Sequence, residues 1–177
     1  DQVRAAREHR PLAAPGGVNI LFVCTGNICR SPMAAAIARR ILSERGRPDI
    51  TVRSAGTAAY EGAPASEGAY LVGLEHGLDL SGHLARPLTA DVVAEAELVF
   101  GMGPHHVDRA SALGGGGRSH LLGSYAGRPD ALAQVEDPYG GDLDEYRRTY
   151  AQLVELLVDA VERLIGEPGA GEGSGDA

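Results

Sequence analysis

The chain has 177 residues, 44% of them apolar, which suits one domain with its own core, and a net charge of −8, which argues against nucleic acid or an anionic membrane as a general partner. It contains no lysine, so a Walker-type phosphate loop and Schiff-base chemistry are excluded. Its two cysteines, Cys24 and Cys29, make neither a disulfide scaffold nor, without a histidine cluster beside them, a zinc site; no metal and no cofactor are expected.

Residues 1–17 mix charge with Pro and Gly and lack the apolar run of a signal peptide or membrane span, so they read as a disordered extension. Val18, Ile20, Leu21, Phe22 and Val23 then form a β-branched and aromatic run interrupted only at Asn19, the pattern of a strand buried on both faces. The strand delivers Cys24 into a loop, Cys24-Thr25-Gly26-Asn27-Ile28-Cys29-Arg30, that closes on Ser31-Pro32. Gly26 can adopt positive φ without penalty, and Asn27 is among the few other residues that tolerate it. Successive N–H groups of such a turn point into one concavity, and a helix starting at Ser31-Pro32 adds its unpaired donors and positive dipole end. The loop therefore reads as a cradle for phosphate.

A thiol in such a cradle is expected to ionise, since cysteines at helix N-termini fall from ~8.5 into a range of roughly 3.5–7.5. Cys24 is the expected nucleophile. Arg30 offers a planar fork matched to two phosphoryl oxygens, and the Ser31 hydroxyl can donate to the Cys24 sulfur. Cys-x5-Arg alone is a weak motif; the preceding strand, the Gly-Asn pair, Ser-Pro and the apolar-striped helix that follows make it specific.

Met33, Ile37, Ile41 and Leu42 stripe that helix, which stops near Gly46. A second strand is expected over Ile50 to Arg53, a helix from about Ala65 to His76, and a short helix capped by Thr89. Leu98, Val99 and Phe100 read as a third strand. Gly103-Pro104 opens a helix running into Gly114 to Gly117, a tetraglycine read as a flexible connector, and Ser119 to Leu122 is a fourth strand. His105, His106 and His120 have no assigned role. The last helix, Asp142 to Ile165, opens on an Asp-x-x-Glu cap and carries a long apolar stripe. The tail from Gly166 is low-complexity and read as disordered. The alternation gives an α/β fold: one doubly wound, four-stranded parallel sheet over residues 18–165, flanked by helices, with the phosphate loop after the first strand.

The leaving oxygen needs a proton donor on a loop that reaches the cradle. Asp137 in Glu136-Asp137-Pro138-Tyr139-Gly140-Gly141 is the choice, with Tyr139 placed to flank an aromatic ring. Asp142 and Asp144 compete nearby but have a structural use at the helix start.

The run Val23-Cys24-Thr25-Gly26-Asn27-Ile28-Cys29-Arg30-Ser31-Pro32 resembles the signature loop of the low-molecular-weight protein tyrosine phosphatases, and the likeness spans about residues 18 to 165. The resemblance implies hydrolysis of protein phosphotyrosine through a cysteinyl phosphate, with Cys24 as nucleophile, Arg30 as phosphate clamp and Asp137 as general acid and base. It also implies phosphate contacts from Thr25, Gly26, Asn27, Ile28, Cys29 and Ser31, support for Asn27 from Ser54 and His83, and a pocket rim at Tyr60 and Tyr139. The implied partner is a tyrosine-phosphorylated protein, a cognate bacterial tyrosine kinase among the candidates; the chain is expected to be a monomer in the reducing cytoplasm, export without a signal peptide being the alternative.

Other members of the same wider group set alternatives. Arsenate reductases need further cysteines that this chain lacks, and protein-arginine phosphatases carry threonine where Ile28 stands; a non-catalytic phosphotyrosine-binding module would not need Cys24, Arg30 and Asp137 together. Cys29 has two readings, a reversible disulfide with Cys24 or a small buried side chain.

Overall fold

The computed structural model describes residues 18–166, so the extension 1–17 and all of the tail but Gly166 lie outside the described residues. The central strand β1 (Val18–Cys24) sits between β2 (Ile50–Gly56) and β3 (Leu98–Gly101), with β4 (Ser119–Leu121) beyond β3, all parallel in the order β2-β1-β3-β4. The helices in chain order are α1 (Arg30–Glu44), α2 (Glu67–Glu75), α3 (Ala90–Ala94), α4 (Pro104–Ala110), α5 (Leu122–Tyr125) and α6 (Leu143–Leu164).

The apolar run of β1 explains the layering. Ile20 and Phe22 pack with Met33, Ile37, Leu153 and Leu157 of α1 and α6, while Leu21 and Val23 pack on the opposite face with Val93, Val99 and Ala110. Alternate side chains of one strand thus fill two cores, the doubly wound arrangement in one domain. Asn19, the one polar residue in the run, donates to the Glu95 carbonyl at 3.0 Å at the sheet's amino end.

Several ends are set by local chemistry. Ser66 caps α2 and Thr89 caps α3, each accepting an N–H from three residues on; Asp142 Oδ1 accepts Glu145 N–H at 2.9 Å to open α6. The second strand runs to Gly56 rather than Arg53 because its whole length pairs with β1, ending with Gly56 opposite Cys24. β4 stops at Leu121, Leu122 turning into the unforeseen α5.

Two expectations are corrected after β3. The helix from Pro104 ends at Ala110, and residues 111–115 form a wider turn. The tetraglycine is also not a loose connector: the buried Arg118 guanidinium donates to the carbonyls of Val93, Ala96 and Gly114 at 3.0–3.1 Å, and a Cβ on Gly115 would lie 2.9 Å from the Ala110 carbonyl oxygen. The glycines let the backbone close around a buried cation. Among the described residues no helix is long and apolar enough to cross a membrane.

Candidate active site

The parallel strands end at one edge of the sheet, and the chain after β1 curls there before entering α1. Main-chain bonds fix the curl from outside: Thr57 N–H donates to the Cys24 carbonyl at 3.0 Å, Ala58 N–H to Thr25 at 2.9 Å, and Ser66 N–H to Ile28 at 2.9 Å. Gly56 is needed for this approach, because a Cβ there would fall 2.5 Å from the Thr25 carbonyl oxygen and 2.9 Å from the Asn27 nitrogen.

Asn27 is fully buried and is the one non-glycine residue with positive φ, 56°, among the described residues. Its side chain accounts for the conformation. Nδ2 donates to Ser31 Oγ at 2.8 Å and Ser54 Oγ at 2.9 Å, Oδ1 accepts Arg86 N–H at 2.9 Å, and the main-chain carbonyl accepts His83 Nε2–H at 2.6 Å. Since a carbonyl only accepts, His83 carries its proton on Nε2, and its burial holds it below the usual histidine range.

Cys24 Sγ lies 2.9 Å from Ser31 Oγ. That hydroxyl already accepts from Asn27, which leaves its own hydrogen for the sulfur. The first turn of α1, which has no side-chain cap, brings its amides and the dipole's positive end to the close of the loop. Arg30 closes the ring: Nη1 donates to the Val135 carbonyl at 3.2 Å, Nη2 lies 3.5 Å from Asp137 Oδ2, and the buried Nε has no partner among the described residues. An orphaned guanidinium donor at the base of an amide cradle fits an anion.

Asp137 is half exposed on a loop tied to α6 through Thr149 and Gln152, and its Oδ1 accepts Tyr139 N–H at 3.1 Å. Asp142 keeps its role as helix cap. Cys24, Arg30, Ile28, Tyr60, Asp137 and Tyr139 line one pocket of about 260 Å³, to which Thr25, Gly26 and Cys29 also contribute. Tyr60 and Tyr139 are the exposed aromatic rim. Ser31 and Asn27 lie behind the pocket, Ser54 and His83 behind them.

Cys29 and Cys24 are both free thiols. The Cys29 sulfur donates to Ser66 Oγ at 3.2 Å and lies 3.3 Å from the Tyr146 hydroxyl; burial pushes this thiol up.

His106 is the residue the sequence reading passed over. It is fully buried, with Nδ1 accepting Gly103 N–H at 2.9 Å and Nε2 lying 3.0 Å from Thr25 Oγ1. Acceptance at Nδ1 fixes the Nε2–H tautomer, so the ring donates to Thr25. Burial first, then electrostatic repulsion from its neighbours His105 and Arg30, lowers it to about 3. Its one sequence signal is its place just beyond β3, at the sheet edge where ligands bind.

The model of the low molecular weight phosphotyrosine protein phosphatases matches residues 19–167. The chain is similar to the protein-arginine-phosphatase of Bacillus subtilis (strain 168), 35% identical over 83% of this chain and 97% of that protein. It is similar also to the low molecular weight protein-tyrosine-phosphatase Etp of Escherichia coli (strain K12), 32% identical over 82% and 94%. Among solved structures, a low molecular weight protein tyrosine phosphatase from T. tengcongensis superposes with a TM-score of 0.77, at 35% identity, over 83% of this chain and 99% of that one.

Proposed function

The chain belongs to the low molecular weight phosphotyrosine protein phosphatase family, and within that family we propose that it hydrolyses protein phosphotyrosine through a phosphocysteine at Cys24. The observation that carries the choice of substrate is the pocket lining. Ile28, Ala58, Ala63, Tyr60 and Tyr139 present apolar and aromatic surface, and Asp137 is the one carboxylate among the lining residues. A phenolic ring gains from such walls, whereas a guanidinium would want a second carboxylate to pair with.

In the first step Cys24 Sγ attacks phosphorus in line, the bond from phosphorus to the tyrosyl oxygen breaks, and Asp137 gives its proton to that oxygen. Arg30 and the loop amides hold the three phosphoryl oxygens as charge moves onto them. In the second step Asp137 takes a proton from water, the water oxygen bonds to phosphorus, and the S–P bond breaks; the Ser31 hydroxyl, 2.9 Å from the sulfur, stabilises the departing thiolate. Thr25, Gly26, Asn27 and Cys29 shape the cradle, Ser54 and His83 hold Asn27, and Tyr60 and Tyr139 flank the ring. We place the activity in the cytoplasm, with a tyrosine-phosphorylated protein, such as a bacterial tyrosine kinase, as partner.

The reading is tested on phosphotyrosine peptide. Cys24→Ser should abolish turnover. Asp137→Ala should lower kcat by about 100-fold or more on phosphotyrosine, and much less on aryl phosphates whose leaving groups need no proton. Retained phosphotyrosine turnover in Asp137→Ala would remove the acid from that position.

The relative that is an arginine phosphatase favours phosphoarginine as the second reading. Exchanging the apolar wall decides between them: Ile28→Thr should raise the ratio of phosphoarginine to phosphotyrosine kcat/KM by about tenfold. An unchanged ratio would separate specificity from this residue, and phosphoarginine preference in the native enzyme would overturn the tyrosine assignment.

A further inference from the structure

A second cleft lies behind the cradle. It opens between α1, β2 and the segment 79–86, measures about 390 Å³ and shares no lining residue with the pocket that holds Cys24. Three arginines from three different elements line it: Arg39 of α1, Arg53 of β2 and Arg86 of the returning segment. In a chain of net charge −8 this is a pronounced concentration of positive charge, opposed within the lining by one carboxylate, Asp79.

Two of the guanidiniums are anchored rather than loose. Arg39 Nη2 donates to the Val52 carbonyl at 2.6 Å and Arg86 Nε to the Ser54 carbonyl at 3.1 Å. Anchoring a guanidinium by one edge limits its rotamers and leaves other donors of the fork to bind elsewhere. Two carboxylates offset the cluster only in part. Glu95 Oε1 reaches only 3.9 Å from Arg86 Nη1, and Asp79 Oδ1 accepts Ser81 N–H. Burial and the neighbouring Arg53 charge both push the Arg39 guanidinium down, and both act in the same direction on Arg86, against the pull of Glu95.

We propose that this cleft is a second anion site, distinct from the catalytic cradle, that takes a small phosphorylated molecule between Arg39, Arg53 and Arg86. Its connection to the cradle is direct. Arg86 holds Asn27 Oδ1 with its main-chain N–H, and His83, also in the lining, holds the Asn27 carbonyl with Nε2–H. A ligand drawn against Arg86 and His83 bears on the two bonds that keep Asn27 at positive φ, so occupancy alters turnover. The site itself needs no particular substrate at Cys24.

The test uses the full chain with the cradle filled by orthovanadate, titrated at constant ionic strength with inorganic pyrophosphate and, separately, methylphosphonate, which distinguishes free inorganic anions from monoester-like ligands. Saturable binding of either, with amide shifts concentrated at residues 79–86, is expected, and Arg53→Glu or Arg39→Gln should weaken it by about tenfold or more. No saturable binding by either anion, or binding that both variants retain, overturns the site. Kinetics on an aryl phosphate then test the link to the cradle. Pyrophosphate competing only at Cys24 raises KM and leaves kcat alone, whereas occupancy behind the cradle changes kcat about twofold or more, an effect that Arg53→Glu abolishes while KM inhibition remains. Pure competition in the native enzyme overturns the coupling.

Discussion

Asn27 shows how the cradle is sustained. A non-glycine residue in the left-handed region costs about 1–3 kcal/mol, and here four hydrogen bonds from four partners hold it there. Gly56 makes the same demand from the neighbouring strand, since its missing side chain is the space the loop occupies. Gly56→Ala should therefore distort the cradle, lowering kcat on aryl phosphates by about tenfold or more and costing about 1–3 kcal/mol in urea unfolding. A variant with native kcat would mean the loop has room to shift. Asn27 marked the turn in the sequence because few residues tolerate such a backbone, whereas Gly26, expected to share it, does not take positive φ. His106 left no comparable mark, because a histidine among polar neighbours looks the same whether it is solvated or buried against Thr25.

At the level of elements, the strand-loop-helix unit of β1 and α1 was legible nearly to the residue. Its signals are local: a two-faced apolar run, a Gly-Asn pair of which Asn27 alone takes positive φ, and a first-turn proline. The turn around Gly114 to Gly117 was not legible, because its glycines serve a cation that closes back on them from Arg118. Replacing that guanidinium with an apolar chain of similar length removes a donor from each of three carbonyls, of which Val93 keeps the Ala96 N–H. Arg118→Met should destabilise by about 3–5 kcal/mol, read as a lower urea midpoint at unchanged slope. A loss below about 1 kcal/mol would show that the turn holds itself. α6 was read from its stripe, yet its hydrogen bonds through Thr149 and Gln152, which steady the Asp137 loop, follow from packing and not from periodicity.

For the whole molecule, the buried His106 and the half-buried His83 and His120 tie stability to pH. His106 is lowered to about 3 in the folded chain against ~6.5 when unfolded, so below pH 6.5 the unfolded state binds the extra proton and stability falls as acid is added. The slope is at most about 1.4 kcal/mol per pH unit between those limits, and His83 and His120, both lowered by burial, act in the same direction. Urea midpoints measured between pH 7.5 and 5 should fall, and His106→Gln should flatten that fall while weakening the hold on Thr25. Equal slopes in the two proteins would place the acid sensitivity elsewhere.

What the sequence determined by itself is the layered α/β sheet and the loop from Cys24 to Arg30, since periodicity, caps and a Cys-x5-Arg spacing act between neighbours along the chain. The tertiary structure alone decided which distant groups meet there. Thr25 and His106 are 81 positions apart, Arg30 and Val135 are 105, and Asn27 and Arg86 are 59. Contacts of that range depend on how strands stack and loops return, and burial fixes a side chain's partner only once those paths are set.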